Sequence, residues 1–216
     1  LEKAIYSKDN LSENSSLNLS GTDSDVLTKH LLKLAELEEQ FTNLTNSFVS
    51  FFINSFRNLK DKTLLEIGSG ESTVYWSNYF DQVCSYEDNP QWASTINLSD
   101  NIDLVLYNPS TIFDDDLFKH RVETSDFIII DNNPKVLPRE RFCEFVEKYQ
   151  SNNSQVILDN CTWNLDAYNF MLSRYFCMDF PGQNKSGETT VTSLFFAKKT
   201  SKYFSSEQIE AWEKTS

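Results

Sequence analysis

A chain of 216 residues suits one domain with a full core and some appended helix. A hydrophobic share of 39% and an aromatic share of 14% exclude a disordered chain. The formal charge of −13 argues against nucleic acid and anionic membranes as partners. Four scattered cysteines, Cys84, Cys143, Cys161 and Cys177, make no C-x-x-C pair, which argues against a disulfide framework or a zinc centre. No apolar run reaches the length of a membrane span and no signal segment opens the sequence, so the expectation is a soluble, cytoplasmic protein.

Residues 1–23 are rich in Ser, Asn and Asp and read as a loose polar arm. Ser24 or Asp25 is placed to cap a long helix running to about Arg57, with Leu27, Leu34, Leu37, Phe41, Leu44, Phe48 and Phe51 in one apolar stripe. Such a stripe packs either on the domain's own flank or against the same helix of a homodimer partner. From residue 63 short apolar runs alternate with helical stretches. Strands are predicted at Thr63–Ile67, Gln82–Tyr86, Ile102–Tyr107, Phe127–Ile130 and Gln155–Leu158. Helices are predicted at Ser72–Phe80, Pro90–Ile96, Pro138–Tyr149 and Leu165–Tyr175. Runs that are apolar throughout, such as Phe127-Ile128-Ile129-Ile130, mark strands covered on both faces. The pattern predicts an α/β fold: a Rossmann-like, doubly wound, mostly parallel sheet with helices on both faces. Thr190–Ala197 is expected to add an antiparallel edge strand. The predicted organisation is an arm over 1–23, a helical extension over 24–60, the α/β domain over 61–200 and a helical tail over 201–216.

The strongest local signal is Leu64-Leu65-Glu66-Ile67-Gly68-Ser69-Gly70-Glu71-Ser72-Thr73, an apolar strand that ends in Gly-x-Gly and leads into a helix. Two of the chain's five glycines fall here. Glycine permits the backbone angles of a sharp turn and lets a ligand approach the main chain, while the following helix start offers free N–H groups. The next strand ends in Glu87, about twenty residues beyond Gly68, where a carboxylate can grip both hydroxyls of a ribose. A dinucleotide fingerprint would place a third glycine where Thr73 stands, so a bare nucleoside is the better ligand.

These residues resemble the cofactor motifs of class I S-adenosylmethionine-dependent methyltransferases, over about residues 60–199. The resemblance implies S-adenosyl-L-methionine as cofactor. Glu66 would lie near its methionine end, Gly68, Ser69 and Gly70 beneath it, Ser72 and Thr73 at the helix start, and Glu87 with Asp88 around the ribose. Tyr107 and Asn108 stand where the family often contacts adenine. Glu71-Ser72-Thr73-Val74-Tyr75-Trp76 is similar to a subgroup whose turn reads Gly-Ser-Gly-x-Ser-Thr.

Two further strand ends carry acidic groups: Asp131-Asn132-Asn133 after the fourth strand and Asp159-Asn160 after the fifth. Asp159-Asn160-Cys161-Thr162-Trp163 resembles the Asp-Asn-x-x-Trp stretch of cation-dependent O-methyltransferases. That likeness implies a Mg²⁺ or other divalent site formed by Asp131, Asp159 and Asn160. The family's lysine base stands three residues after the first Asp; here Pro134 occupies that place and Lys135 follows it. Candidate catalytic groups are therefore Asp131, Lys135 and His120, the last in a stretch before the fourth strand that is expected to reach over the site. The expected activity is O- or N-methylation of a small polar molecule. Aminopropyl transfer on the same scaffold and a non-catalytic ligand-binding module are the alternatives.

Overall fold

The structure is a computed structural model and describes residues 44–56, 58–184 and 186–198. The predicted arm, the helix before residue 44 and the tail over 201–216 lie outside the described residues. The described part opens with helix α1 (Asn46–Ser55), then β1 (Thr63–Ile67), α2 (Glu71–Trp76), β2 (Gln82–Glu87), α3 (Pro90–Ala93) and β3 (Ile102–Leu106). It continues with α4 (Asp116–Thr124), β4 (Phe127–Ile130), α5 (Arg139–Tyr149), β5 (Gln155–Leu158), α6 (Leu165–Leu172), β6 (Tyr175–Gln183) and β7 (Thr189–Lys198).

The seven strands form one sheet in the order β3-β2-β1-β4-β5-β7-β6. β1 to β5 run parallel, while β7 is antiparallel to both β5 and β6. The predicted C-terminal strand thus inserts next to β5, and β6 takes the edge. Pro181 and Gly182 sit within β6, a composition tolerated at a sheet edge and the reason this strand is hard to read from sequence. The chain builds outward from β1 through β2 to β3, then returns to place β4 on β1's other side. The carboxyl ends of β1 and β4 are therefore a topological switch point, where open α/β sheets bind ligands.

Strand parity divides the core. Leu65, Ile67, Ile128, Ile130, Val156 and Leu158 face Phe118 and Val122 of α4, Phe142 and Val146 of α5, and Met171 of α6. On the opposite face Phe52 of α1 sits within 5.0 Å of the Phe127 ring and 5.5 Å of the Trp76 ring, centroid to centroid. Burying one such phenyl group is worth about 2–3 kcal/mol. α1 thus packs on the domain's own flank, with Phe48 also edge-on to Phe180 of β6.

Within the helix predicted to run unbroken to Arg57, Thr45 is extended at φ −65° and ψ 139°, and the described helix starts at Asn46. Long-range bonds hold Thr45 there. The Thr45 N–H donates to Thr192 Oγ1 at 3.0 Å, and its hydroxyl donates to the Phe180 carbonyl at 2.9 Å. Between β3 and β4 the chain forms α4 rather than a loop over the site. Asp115 caps it by accepting from the Phe118 N–H at 2.9 Å, and Phe118 and Val122 turn into the core. Among the described residues no helix is long and apolar enough to cross a membrane.

Candidate functional site: a nucleoside-sized cavity at the switch point

The turn after β1 uses its two glycines differently. Gly68 has φ +98°, and a methyl group placed on it would come within 2.5 Å of the Asp131 carbonyl and 2.6 Å of the Asn132 nitrogen. The close approach of the β1 and β4 loops demands glycine there. Gly70 is extended at φ −177°, and an added methyl would meet nothing nearer than Trp92 Cζ2 at 3.9 Å. No internal packing asks for glycine at 70; a surface kept bare for a ligand does.

Beneath the turn lies Glu66, with no exposure to solvent. Its carboxylate accepts from Ser72 Oγ and Thr73 Oγ1, each at 2.5 Å, and from Ser85 Oγ at 3.0 Å. Thr73 Oγ1 in turn accepts from the Gly70 N–H at 2.9 Å, and the Ser85 and Ser69 hydroxyls meet at 2.7 Å. Burial raises the Glu66 carboxyl to about 7 despite the three hydroxyl donors, and the nearby Asp131 charge adds to the rise. Glu66 and Thr73, both expected at the cofactor, are therefore props beneath the turn and not part of the cavity wall. They are drawn inward because three hydroxyls satisfy the buried carboxylate.

Above the turn opens a cavity of about 590 Å³, within the usual range for small-molecule sites. Gly68, Ser69, Gly70 and Ser72 form its floor, and Glu87 and Asp88 one wall. Glu87 is pre-aimed: Oε2 accepts from the Ser69 N–H at 3.0 Å and Oε1 from the Asn89 N–H at 2.9 Å. Burial raises its pKa, and the two N–H donors oppose that rise. Trp92, one turn into α3, donates its indole N–H to the Ser69 carbonyl at 2.6 Å and forms a half-exposed side wall. Asn89 makes this possible by capping α3 through bonds from the Gln91 and Trp92 N–H groups.

The far side of the cavity comes from the loops after β4 and β5 and from the tip of the β6–β7 hairpin. Asp131, Arg139, Asn160, Trp163 and Glu188 all line it. The Asp131 carboxylate pairs with Arg139, Nη2 to Oδ1 at 2.8 Å. Asp159 is fully buried and faces away from the cavity; its Oδ1 accepts from Thr192 Oγ1 and its Oδ2 from Asn160 Nδ2, both at 2.6 Å. Burial and the neighbouring Asp131 charge raise Asp159 to about 7. The three groups predicted for a divalent ion thus do not fit one: Asp131 is paired with a guanidinium, the fully buried Asp159 carboxylate does not reach the cavity, and the unpartnered Asn160 Oδ1 alone makes no site. No cluster of three or more His, Cys, Asp or Glu side chains suited to a metal occurs among the described residues.

The structure brings Gly68, Ser69, Gly70, Ser72, Glu87, Asp88, Asp131 and Asn160 to one cavity. Lys135 is exposed between Asn133 and Val136, which do line the cavity, and its own N–H is tied to Asn133 Oδ1 at 3.1 Å. His120 is exposed on α4, whose inward face is taken by Phe118 and Val122, and it does not line the cavity. Asn108 closes a turn on Ser110 instead of facing the cavity. Sequence reasoning missed Trp92 and the hairpin tip, and it read Arg139 as a helix-surface residue by default, with contact to an anionic substrate as the alternative. Trp92 had a signal, since Asn89-Pro90 announces a capped helix start beside the turn. The burial of Arg139 had no signal, because its acceptors come from the β4 and β5 loops.

No family model and no curated protein matches the chain. Among solved structures, the O-methyltransferase TomG from Streptomyces achromogenes, involved in tomaymycin synthesis and solved in complex with SAM, is similar at a TM-score of 0.50 and 13% identity, over 63% of this chain and 73% of that one. A precorrin-6y C5,15-methyltransferase from Geobacter metallireducens is similar at 0.48 and 16% identity, over 68% of this chain and 86% of the other. At such identity likeness speaks for fold alone. Together with the strand order and the glycine turn, it gives this chain the fold of class I S-adenosylmethionine-dependent methyltransferases.

Proposed function

We propose that this chain is an S-adenosylmethionine-dependent methyltransferase acting on a small polar molecule at nitrogen or oxygen. The observation that carries the reading is Gly70. It is bare without any internal steric reason, and it forms the floor of a cavity whose wall is a carboxylate held by two backbone N–H groups. Each Glu87 oxygen keeps lone pairs for a ribose hydroxyl after taking its N–H. The bound cofactor would supply an electrophilic methyl group on a sulfonium. The protein's part is to position the acceptor in line with it and to exclude water. Asp131, facing the same cavity with its charge balanced by Arg139, is the group placed to orient the acceptor or take its proton. Aminopropyl transfer would be favoured by a free acidic pair near the sulfonium, and Asp131 is instead committed to Arg139.

Calorimetry with S-adenosylhomocysteine tests the reading. The wild type should bind it, and Glu87→Ala should lose roughly 30-fold or more in affinity, the worth of charge-assisted bonds to ribose. Absence of binding to the wild type would leave only a non-catalytic module.

A further inference from the structure

The two strand ends that the sequence assigns to a divalent ion are tied by one side chain. Arg139, the first residue of α5, is only 5% exposed and divides its guanidinium among three acceptors on two loops. Nε donates to the Asn132 carbonyl at 3.0 Å, Nη1 to the Asp159 carbonyl at 2.6 Å and Nη2 to Asp131 Oδ1 at 2.8 Å. A planar fork of donors with a permanent charge suits this bridging role, and a lysine ammonium cannot reproduce its angles. Arg139 also lines both the main cavity and a second one of about 390 Å³, which shares Trp163 with it. A divalent ion on Asp131 would have to sit beside this charge, and the fully buried Asp159 carboxylate, turned onto Thr192 and Asn160, presents no oxygen at the cavity.

We infer that Arg139 is a built-in cation that takes the place of a divalent metal. It is a positioning residue: it ties the β4 and β5 loops together and fixes Asp131 at the cavity, so the protein needs no metal ion for that arrangement. The link to catalysis rests on the transferase reading; the metal exclusion does not.

The test uses the full chain, stripped with a chelator and titrated with MnCl₂ under electron paramagnetic resonance. The signal of free Mn²⁺ should persist at equimolar protein. Arg139→Ala should weaken S-adenosylhomocysteine binding roughly tenfold, because it leaves the Asp131 carboxylate without its buried partner. Millimolar guanidinium should restore that affinity and equal sodium should not, an outcome that loss of packing alone would not produce. Should the alanine variant fail to fold, Arg139→Lys carries the test, with weaker binding and a lower melting midpoint than wild type because the three-way fork is gone. Stoichiometric Mn²⁺ uptake by the wild type that disappears in Asp131→Asn overturns the inference, and so does an Arg139→Lys variant that matches wild type in both readouts. A wild type that binds no S-adenosylhomocysteine sinks the transferase reading instead, and leaves the Mn²⁺ titration and the melting comparison to judge Arg139.

Discussion

On the near side of the cavity, every group that shapes the floor and wall comes from residues 68–92, within the continuous β1–α2–β2–α3 run. On the far side, Asp131, Arg139, Asn160, Trp163 and Glu188 come from two loops and a hairpin tip far apart in the chain. The near side is held from below by a buried carboxylate and a mesh of hydroxyls. The far side is held by one guanidinium and leaves Trp163 54% exposed. A floor so firmly propped suits a ligand that is always the same. Walls on separate loops, with large apolar side chains in solvent, suit an acceptor that differs between proteins of one fold.

The largest expected effect breaks the near side at its tightest point. Gly68→Ala forces a side chain onto a positive φ and into the Asp131–Asn132 backbone. It should cost about 3 kcal/mol or more, seen as a fall in melting midpoint of roughly 6–12 °C. Gly70→Ala, two residues on, should melt close to wild type yet lose S-adenosylhomocysteine binding by about tenfold or more, because its methyl would meet no protein atom nearer than Trp92 Cζ2 at 3.9 Å and would stand where the ligand lies. If both variants simply unfold, the division of roles between the two glycines is wrong.

Next in size is a pH effect from the prop beneath the turn. Glu66 titrates near 7 in the folded chain against 4.5 ordinarily, because burial disfavours its charge. A raised folded-state value contributes stability that is complete below 4.5 and is lost as pH rises through 7. Wild type should therefore lose stability over that window relative to Glu66→Gln, by about 3 kcal/mol in all, and the two curves should run parallel above it. Paired denaturant titrations across the window measure this. Parallel curves throughout would mean that Glu66 is not a buried carboxyl.

The same contrast explains what could be read in advance. β1, β4 and β5 were legible to the residue because their runs are mostly apolar and bounded by turns. The turn itself was legible because its chemistry is written in consecutive residues. Glu66, expected at the cofactor, lies buried beneath the turn and outside the cavity lining, since spacing cannot tell a carboxylate above a turn from one below it. The metal assignment failed for a longer-range reason. Asp131, Asp159 and Asn160 do follow the right strands, but Thr192 and Arg139, which occupy them, arrive from β7 and α5. The helix break at Thr45 has the same origin, in partners on β6 and β7.

A smaller effect sharpens the near side. Trp92→Phe keeps a ring beside the turn but removes the N–H that binds the Ser69 carbonyl. The affinity for S-adenosylhomocysteine should fall by roughly fivefold, the worth of one hydrogen bond, with melting within about 0.5 kcal/mol of wild type. A larger loss of stability would make Trp92 part of the core instead of the wall.

The smallest effect is expected at His120, and its smallness is the point. The residue lies on the exposed side of α4, opposite the Phe118 and Val122 face, and outside the cavity lining. A base that removes an acceptor proton must come within hydrogen-bond reach of it, directly or through one water. From the outer face of a helix packed against the sheet, His120 has no such approach unless α4 leaves its place, which would expose Phe118 and Val122 at a cost of several kcal/mol. His120→Ala should therefore bind S-adenosylhomocysteine as wild type does and melt within about 0.5 kcal/mol of it. A tenfold loss of affinity would require α4 to move over the cavity on ligand binding, and would add a closing wall to a cavity that α4 does not line in the structure.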